Sequence, residues 1–308
     1  MNNENFNNTD NEIDLKELFL AIWSKKILIT LITTSAAIFS VLYALSLPNI
    51  YTSYALLAPT SVEDSLSGKL GAYSSLAGIA GISLPAESAG KSTEAIERIK
   101  SYDFFEDEFL PSIKIENLVA TKKWIESSND IIYNDKIFDK AANKWALNTD
   151  TLDSVKPSNQ EAYEIYGEIL SIEENSKNGF ITISLEHVSP FIAKEWLNLI
   201  ILKINNHMKQ LDKILAENSI NYLNRTSEKT NLTQIKGAIS KLLQEQIQTL
   251  MLAEASKDYV FKPISSPIAP EKKSRPTRAF ICILGTLLGF MLSVLISLGL
   301  YFINKEKN

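Results

Sequence analysis

Residues 279–303 carry no charge for 25 consecutive positions, and residues 27–47 carry none for 21. At about 1.5 Å of rise per residue, either run is long enough as a helix to cross a hydrocarbon core of about 30 Å. They predict two transmembrane helices, and every other segment must be compatible with a chain anchored at both. A cleaved signal peptide is the rival reading of the first run, because Ala44-Leu45-Ser46 fits a small-x-small cleavage site. The run is longer than a signal-peptide core of about 7–15 residues, and a 26-residue tail precedes it; both favour a span.

Two spans place both termini on one side and residues 48–278 on the other. Lys16, Lys25 and Lys26 precede the first span, and the next basic residue is Lys69, which sets the N-terminus inside. Alone, the second span points the other way, with Lys272, Lys273, Arg275 and Arg278 before it and only Lys305 and Lys307 after it. The first span decides, since long loops translocate largely regardless of charge. Both spans carry small residues at every fourth position: Ala36, Ser40 and Ala44 in the first, Gly285, Gly289, Ser293 and Ser297 in the second. In lipid, such faces let backbones approach closely, so they predict packing of the spans, within a protomer or between neighbours.

Four of the ten prolines (Pro263, Pro267, Pro270 and Pro276) crowd the approach to the second span and end beside Arg278. They predict a stiff extended linker at 263–278 that couples the membrane helices to the outer domain; a passive tether is the plainer alternative.

Between the spans the periodicities are mixed. YTSYALL (51–57) reads as a strand, and Ser92 as the cap of a helix running to about Phe109. Residues 117–146 predict further short helices, with Trp124 and Trp145 as core anchors. Ser158-x-x-Glu161 is a capping-box signature. Residues 169–173 and 180–186 alternate apolar and polar side chains about an Asn178-Gly179 turn, which predicts a β-hairpin. From Ser189-Pro190 an apolar stripe at helical spacing runs to about residue 229, and a second follows over 232–255 with Asn231 and Gln234 as its cap pair. A single rod would leave the chain about 100 Å from the bilayer, so a helical hairpin is the better reading, with KDYVF (257–261) extended.

At a net charge of -5 nothing argues for nucleic acid. A lone cysteine, Cys282, and two histidines, His187 and His207, argue against a disulfide framework or a metal site. Gly71, Gly78 and Gly81 lack the Lys-Ser/Thr of a phosphate loop, and no nucleophile, zinc-protease or Walker motif occurs. No cofactor and no catalytic residue are expected, and no Asp, Glu, His, Lys or Arg lies in a span to couple ion transport.

One pattern runs through nearly the whole chain: IDLKELFLAIWSKK before the first span, NIYTSYALLAP after it, SSLAGIAGISL, ERIKSYDFFEDEFL, NGFITISLEHVSPFIAKEWLNLII, and QEQIQTLMLAEASKDYVFKPISSPIAPEKKSRPTRAFICILGTLLG at its close. It resembles the bacterial Wzz-type polysaccharide co-polymerases, the O-antigen chain-length determinants. The resemblance implies an α+β inner-membrane protein. Two transmembrane helices would flank a periplasmic domain with a small sheet base and a long helical hairpin arm. It further implies ring-like homo-oligomers, a Wzy-type polymerase and lipid-linked polysaccharide as partners, and control of glycan length without catalysis. Two alternatives remain: a co-polymerase for capsule or exopolysaccharide, and a non-glycan scaffold or export adaptor. The expected organisation is a tail and interfacial helix at 1–26, a span at 27–47 and the outer domain at 48–262. The linker at 263–278, a span at 279–303 and a tail at 304–308 follow.

Overall fold

The computed structural model describes residues 22–60, 87–147 and 156–306. The polar N-terminal tail, most of the interfacial helix, the Ala/Gly/Ser-rich stretch with Gly71, Gly78 and Gly81, and Lys307 lie outside them. In chain order the elements are α1 (Lys26–Ser46), β1 (Tyr51–Pro59), α2 (Glu87–Lys100), α3 (Tyr102–Phe104), α4 (Ile115–Val119), β2 (Thr121–Ile125), β3 (Asp130–Tyr133), β4 (Phe138–Asp139) and β5 (Lys144–Trp145). Then come α5 (Asn159–Ile169), β6 (Leu170–Glu174), β7 (Ile181–His187), α6 (Pro190–Lys229), α7 (Thr233–Ala255), β8 (Phe261–Ser265) and α8 (Arg278–Glu306). They form two compact units, one from Met1–Pro48 with Arg275–Asn308 and the other from Asn49–Ser274.

The first unit is the pair α1 and α8, both long and apolar enough to cross a membrane. Only 11% and 6% of their most apolar stretches are buried, so the pair keeps its apolar surface outward, unlike the core helix of a soluble domain.

The second unit is α+β. An antiparallel sheet in the order β6-β7-β1-β8 is its base. The central pair runs in register from Tyr51 opposite His187 to Leu57 opposite Ile181. Ile181, Ile183 and Leu185 are fully buried and alternate with half-buried Thr182, Ser184 and Glu186, so the sheet commits one face to the core. The first turns of α6 cover that face with Ala193, Trp196, Leu197 and Ile200. Phe105, Phe109 and Tyr166 close the core as a ring cluster, and the Tyr166 hydroxyl donates to Ile99 O at 2.9 Å.

The 40 residues of α6 and the 23 of α7 give helices of about 60 and 35 Å. They pack as an antiparallel hairpin, with Lys213 paired to Glu254 and Lys209 Nζ donating to Ser256 O at 3.5 Å. Asn205 joins the arm to the sheet. Its side chain is 3% exposed and every hydrogen-bonding position is used. Oδ1 accepts from Val260 N–H and Phe261 N–H at 2.8 and 2.9 Å, and Nδ2 donates to Ile201 O and Phe261 O at 3.0 Å each. At the other end of the junction His187 is 7% exposed. Nδ1 accepts from Ser189 N–H and Nε2–H donates to Asn117 O, both at 2.9 Å, so the ring is held as one neutral tautomer against Trp196.

Several expectations need correction. The helix assigned to Ser92 begins at Glu87 and encloses Ser92, which is buried. It does not run on to Phe109. Ser101 interrupts it and its Oγ accepts from Phe104 N–H, after which Phe105–Phe109 form a wider π-helical turn. Residues 121–145 are two small hairpins, not helices; Asn129 and Asn143 take positive φ (49° and 51°) after β2 and between β4 and β5. Trp124 and Trp145 are only half-buried at the margin, and the tryptophan of the core is Trp196. Helix α7 starts from Leu232 with no side-chain cap, so Asn231 and Gln234 do not form the cap pair. The capping box of Ser158 and Glu161 is present, and Pro190 opens α6.

Two outcomes follow. Asn205→Leu orphans two buried backbone N–H groups, and since each costs about 1–3 kcal/mol, unfolding of the full chain in urea should show a loss of about 2–6 kcal/mol. Burial holds the His187 pKa below its ordinary value, and the backbone hydrogen bonds offset that only in part. The unfolded chain therefore takes up a proton near about pH 6.5 that the folded chain refuses; stability is full above that pH and is lost as pH falls below it. The melting temperature should drop from pH 7 to about 5.5, with a smaller drop in His187→Gln.

Candidate functional site

The helix pair is built on its small residues. Along antiparallel α1 and α8, Gly285 lies beside Ser40, Gly289 beside Ala36, and Ser293 beside Thr33. A Cβ at Gly285 would lie 2.5 Å from Ser40 Oγ, and one at Gly289 would overlap Ala36 Cβ. Backbones this close gain dispersion contacts that larger side chains would forbid, the main attraction available between helices in lipid. Ser40, Ala44, Ser293 and Ser297 are buried in the same seam. Ser40 Oγ donates to Ile281 O at 3.0 Å, and Thr33 Oγ1 and Ser293 Oγ are 3.4 Å apart. Ser297 Oγ has no hydrogen-bond partner among the described residues. Arg278 closes the end of the pair: Nε donates to Ala44 O at 3.1 Å and Nη2 to Leu47 O at 3.4 Å, so its charge satisfies carbonyls left open at the C-terminus of α1.

The proline segment is only partly a linker. Pro263 lies in β8, an edge strand, where the missing N–H costs no ladder bond. Pro267 is buried and Pro270 half-buried, and the chain between Ser265 and Ser274 runs along β1. Ser53 Oγ donates to Ile268 O at 2.8 Å, Ser274 N–H to Ile50 O at 2.8 Å, and Thr52 N–H to Ser274 Oγ at 3.1 Å. Pro276 belongs to the helix-pair unit. Sequence reasoning found these prolines but not their bonds to β1.

The arm carries two further features. Asp212 Oδ2 accepts from Lys91 Nζ at 2.7 Å and from the Tyr259 hydroxyl at 2.5 Å, tying α2 and the returning chain to α6. Burial first, then the hydrogen bond to Asp212 and its charge, push the Tyr259 hydroxyl pKa up, so it stays a donor. Beyond that knot the hairpin leaves large apolar side chains in the open, with Tyr222 69% and Met251 66% exposed. Among the described residues no group of three His, Cys, Asp or Glu side chains is placed to hold a metal.

Comparison with known proteins finds the following similarities. Residues 11–144 match the family model Wzz, described as chain length determinant protein. Comparison with curated proteins finds no match. Among solved structures, the chain is similar to a full-length bacterial polysaccharide co-polymerase at 15% identity, covering 95% of this chain and 99% of that one, with a TM-score of 0.43. It is similar also to a fragment of WzzB, polysaccharide co-polymerase from Salmonella Typhimurium, at 14% identity, covering 74% and 100%, with a TM-score of 0.34.

The seam gives a direct test. With Cys282 replaced by Ser, a Thr33→Cys/Ser293→Cys pair should form a disulfide in membranes, because the native Oγ atoms are 3.4 Å apart. Adding Gly289→Leu should cut the yield several-fold, read by protection from thiol labelling; an unchanged yield would show that the close approach at Ala36 is dispensable.

Proposed function

We propose that the chain, whose residues 11–144 match the Wzz family model, is a regulator of polysaccharide chain length, acting in lipopolysaccharide O-antigen biosynthesis as an oligomeric inner-membrane scaffold for the polymerase. The family match carries the reading. In this reading the chain regulates a polymerase and does not itself join sugars. In this reading α1 and α8 cross the inner membrane, both termini are cytoplasmic, and the α+β unit stands in the periplasm. The lysines ahead of α1 support that orientation. The open apolar side chains along α6 and α7 support side-by-side packing of copies into a ring, since a hairpin whose two helices both leave apolar side chains open gains by covering them. The ring would hold a Wzy-type polymerase and its lipid-linked polysaccharide at a set density. Coupling between the membrane pair and the ring would run through the segment that holds Pro263, Pro267, Pro270 and Pro276, which Ile268 bonds to β1 and which leads in sequence into α8.

Deleting the gene should broaden the O-antigen length distribution on a gel, and the native chain should restore its mode. An O-antigen ladder unaltered by deletion refutes the role. A Pro267→Ala/Pro270→Ala chain, expressed at the native level, should restore a mode of different length; restoration of the native mode would reduce the segment to a passive tether.

A further inference from the structure

The seam between α1 and α8 repeats itself. Gly285 lies beside Ser40, Gly289 beside Ala36 and Ser293 beside Thr33, and in each helix small residues recur every four positions. A slide of α8 by one turn, about 6 Å toward its own N-terminus, therefore exchanges small residues for small residues. Gly285 comes beside Ala44, Gly289 beside Ser40, Ser293 beside Ala36 and Ser297 beside Thr33. Ser40 Oγ, which donates to Ile281 O at 3.0 Å, finds Gly285 O in its place. The slide brings Tyr301 level with Ile29 at one end of the seam and takes Ile281 out at the other.

One side chain leaves the present register incomplete. Ser297 is fully buried, yet its Oγ has no hydrogen-bond partner among the described residues. The same spacing sets it level with Ile29, also buried, whose side chain has no polar atom. An unsatisfied hydroxyl in an apolar seam is costly, and hydrocarbon holds no water to serve it. One turn along, Ser297 meets Thr33 Oγ1, which now lies 3.4 Å from Ser293 Oγ. Ser293 can give that contact up, because its Oγ also donates to Phe290 O at 2.7 Å within α8.

The charges favour a slide in this direction only. The uncharged run of α8 is 25 residues and that of α1 is 21, so α8 has one turn of apolar length to spare. With Arg278 bonded at Leu47, the surplus lies beyond the N-terminal end of the α1 run. The slide moves the surplus to the other end and draws no charge between the levels of Ile27 and Leu47. The opposite slide would pull Arg278 one turn into the apolar layer, level with Tyr43, and set Gly289 against Ile32.

We infer that the α1–α8 pair has two registers one turn apart, and that Arg278, bonded to Ala44 O and Leu47 O, latches the present one. The inference needs α1 and α8 to lie in a bilayer and is independent of the glycan role. The slide breaks the two arginine bonds and satisfies Ser297, so release of Arg278 is what moves the balance.

The test is disulfide trapping of the full chain in membranes, with Cys282→Ser throughout. Thr33→Cys/Ser293→Cys reports the present register and Thr33→Cys/Ser297→Cys the other. Ile29→Cys/Ser293→Cys is the control, out of level by one turn in the direction the charges oppose. A pair one turn out of level has its Cα atoms beyond the roughly 7 Å that a disulfide spans, so it closes only if the helices slide. Both Thr33 pairs should close within a monomer, read on a non-reducing gel with loss of thiol labelling, and the control should stay several-fold lower. Arg278→Ala should raise the Thr33/Ser297 yield several-fold and lower that of Thr33/Ser293. A further reporter of the second register, Ala36→Cys/Ser293→Cys, leaves Ser297 in place; Ser297→Ala should cut its yield several-fold and Ser297→Thr should keep it. A Thr33/Ser297 yield no higher than the control overturns the inference, as does a bond formed between copies. Yields unmoved by Arg278→Ala and by Ser297→Ala overturn it too, since random collision depends on neither residue.

Discussion

The arm is held in register against the sheet by one buried amide. A helix of 40 residues that packs its first turns on a four-stranded sheet needs something to stop it sliding along its axis, and apolar contact alone is tolerant of such slips. Asn205 removes the tolerance, because its donors and acceptor find their partners in only one register of α6 against the start of β8. A buried amide left half-satisfied is costly, so each residue of slip carries a penalty that the neighbouring Ile204 and Met208 cannot impose. Asp212, with Lys91 and Tyr259, repeats the device about two turns further along with a charge at its centre.

Much of this architecture could be read from residue order, and the failures have physical causes. The apolar spans, the strand at 51–57, the 170–187 hairpin and the helical hairpin were legible because burial imposes a period of 2 or 3.6 residues, or none in lipid. The 121–145 hairpins were not: their strands are two to five residues long, too short to show a period, and Lys122, Lys123 and Lys144 interrupt them. Helix starts failed where no cap was made. Leu232 precedes α7 without a side-chain bond, so the Asn that looked like a cap one residue earlier has no such role. Asn205 did leave a trace, a polar residue on the same helical face as Ile201, Ile204 and Met208. That trace marked an anomaly without identifying Val260 and Phe261, which lie more than 50 positions away.

The small residues of the spans and the prolines were visible by composition; their partners were not. Gly285 and Gly289 could have served contact between copies, and the structure uses them inside one chain, where Ser40 and Ala36 occupy the space. This leaves the outward faces of α1 and α8 for lipid or for other proteins. The proline segment likewise proves to be half a strand edge. Pro263 completes the sheet without asking for a ladder bond, and Ser53, Thr52 and Ile50 hold the following residues against β1.

The hairpin tip has a consequence for how such a chain can change over generations. Every fixed register in the arm lies toward the sheet, at Asn205, Asp212 and the Lys213–Glu254 pair, while residues 230–232 only turn the corner. Inserting about two turns into both helices near the tip would add about 10 Å of reach and return the same faces to the same side. None of the locking bonds would be disturbed. The arm is therefore a part whose length can drift by matched insertions, while the sheet, the knot at Asp212 and the membrane pair stay as they are.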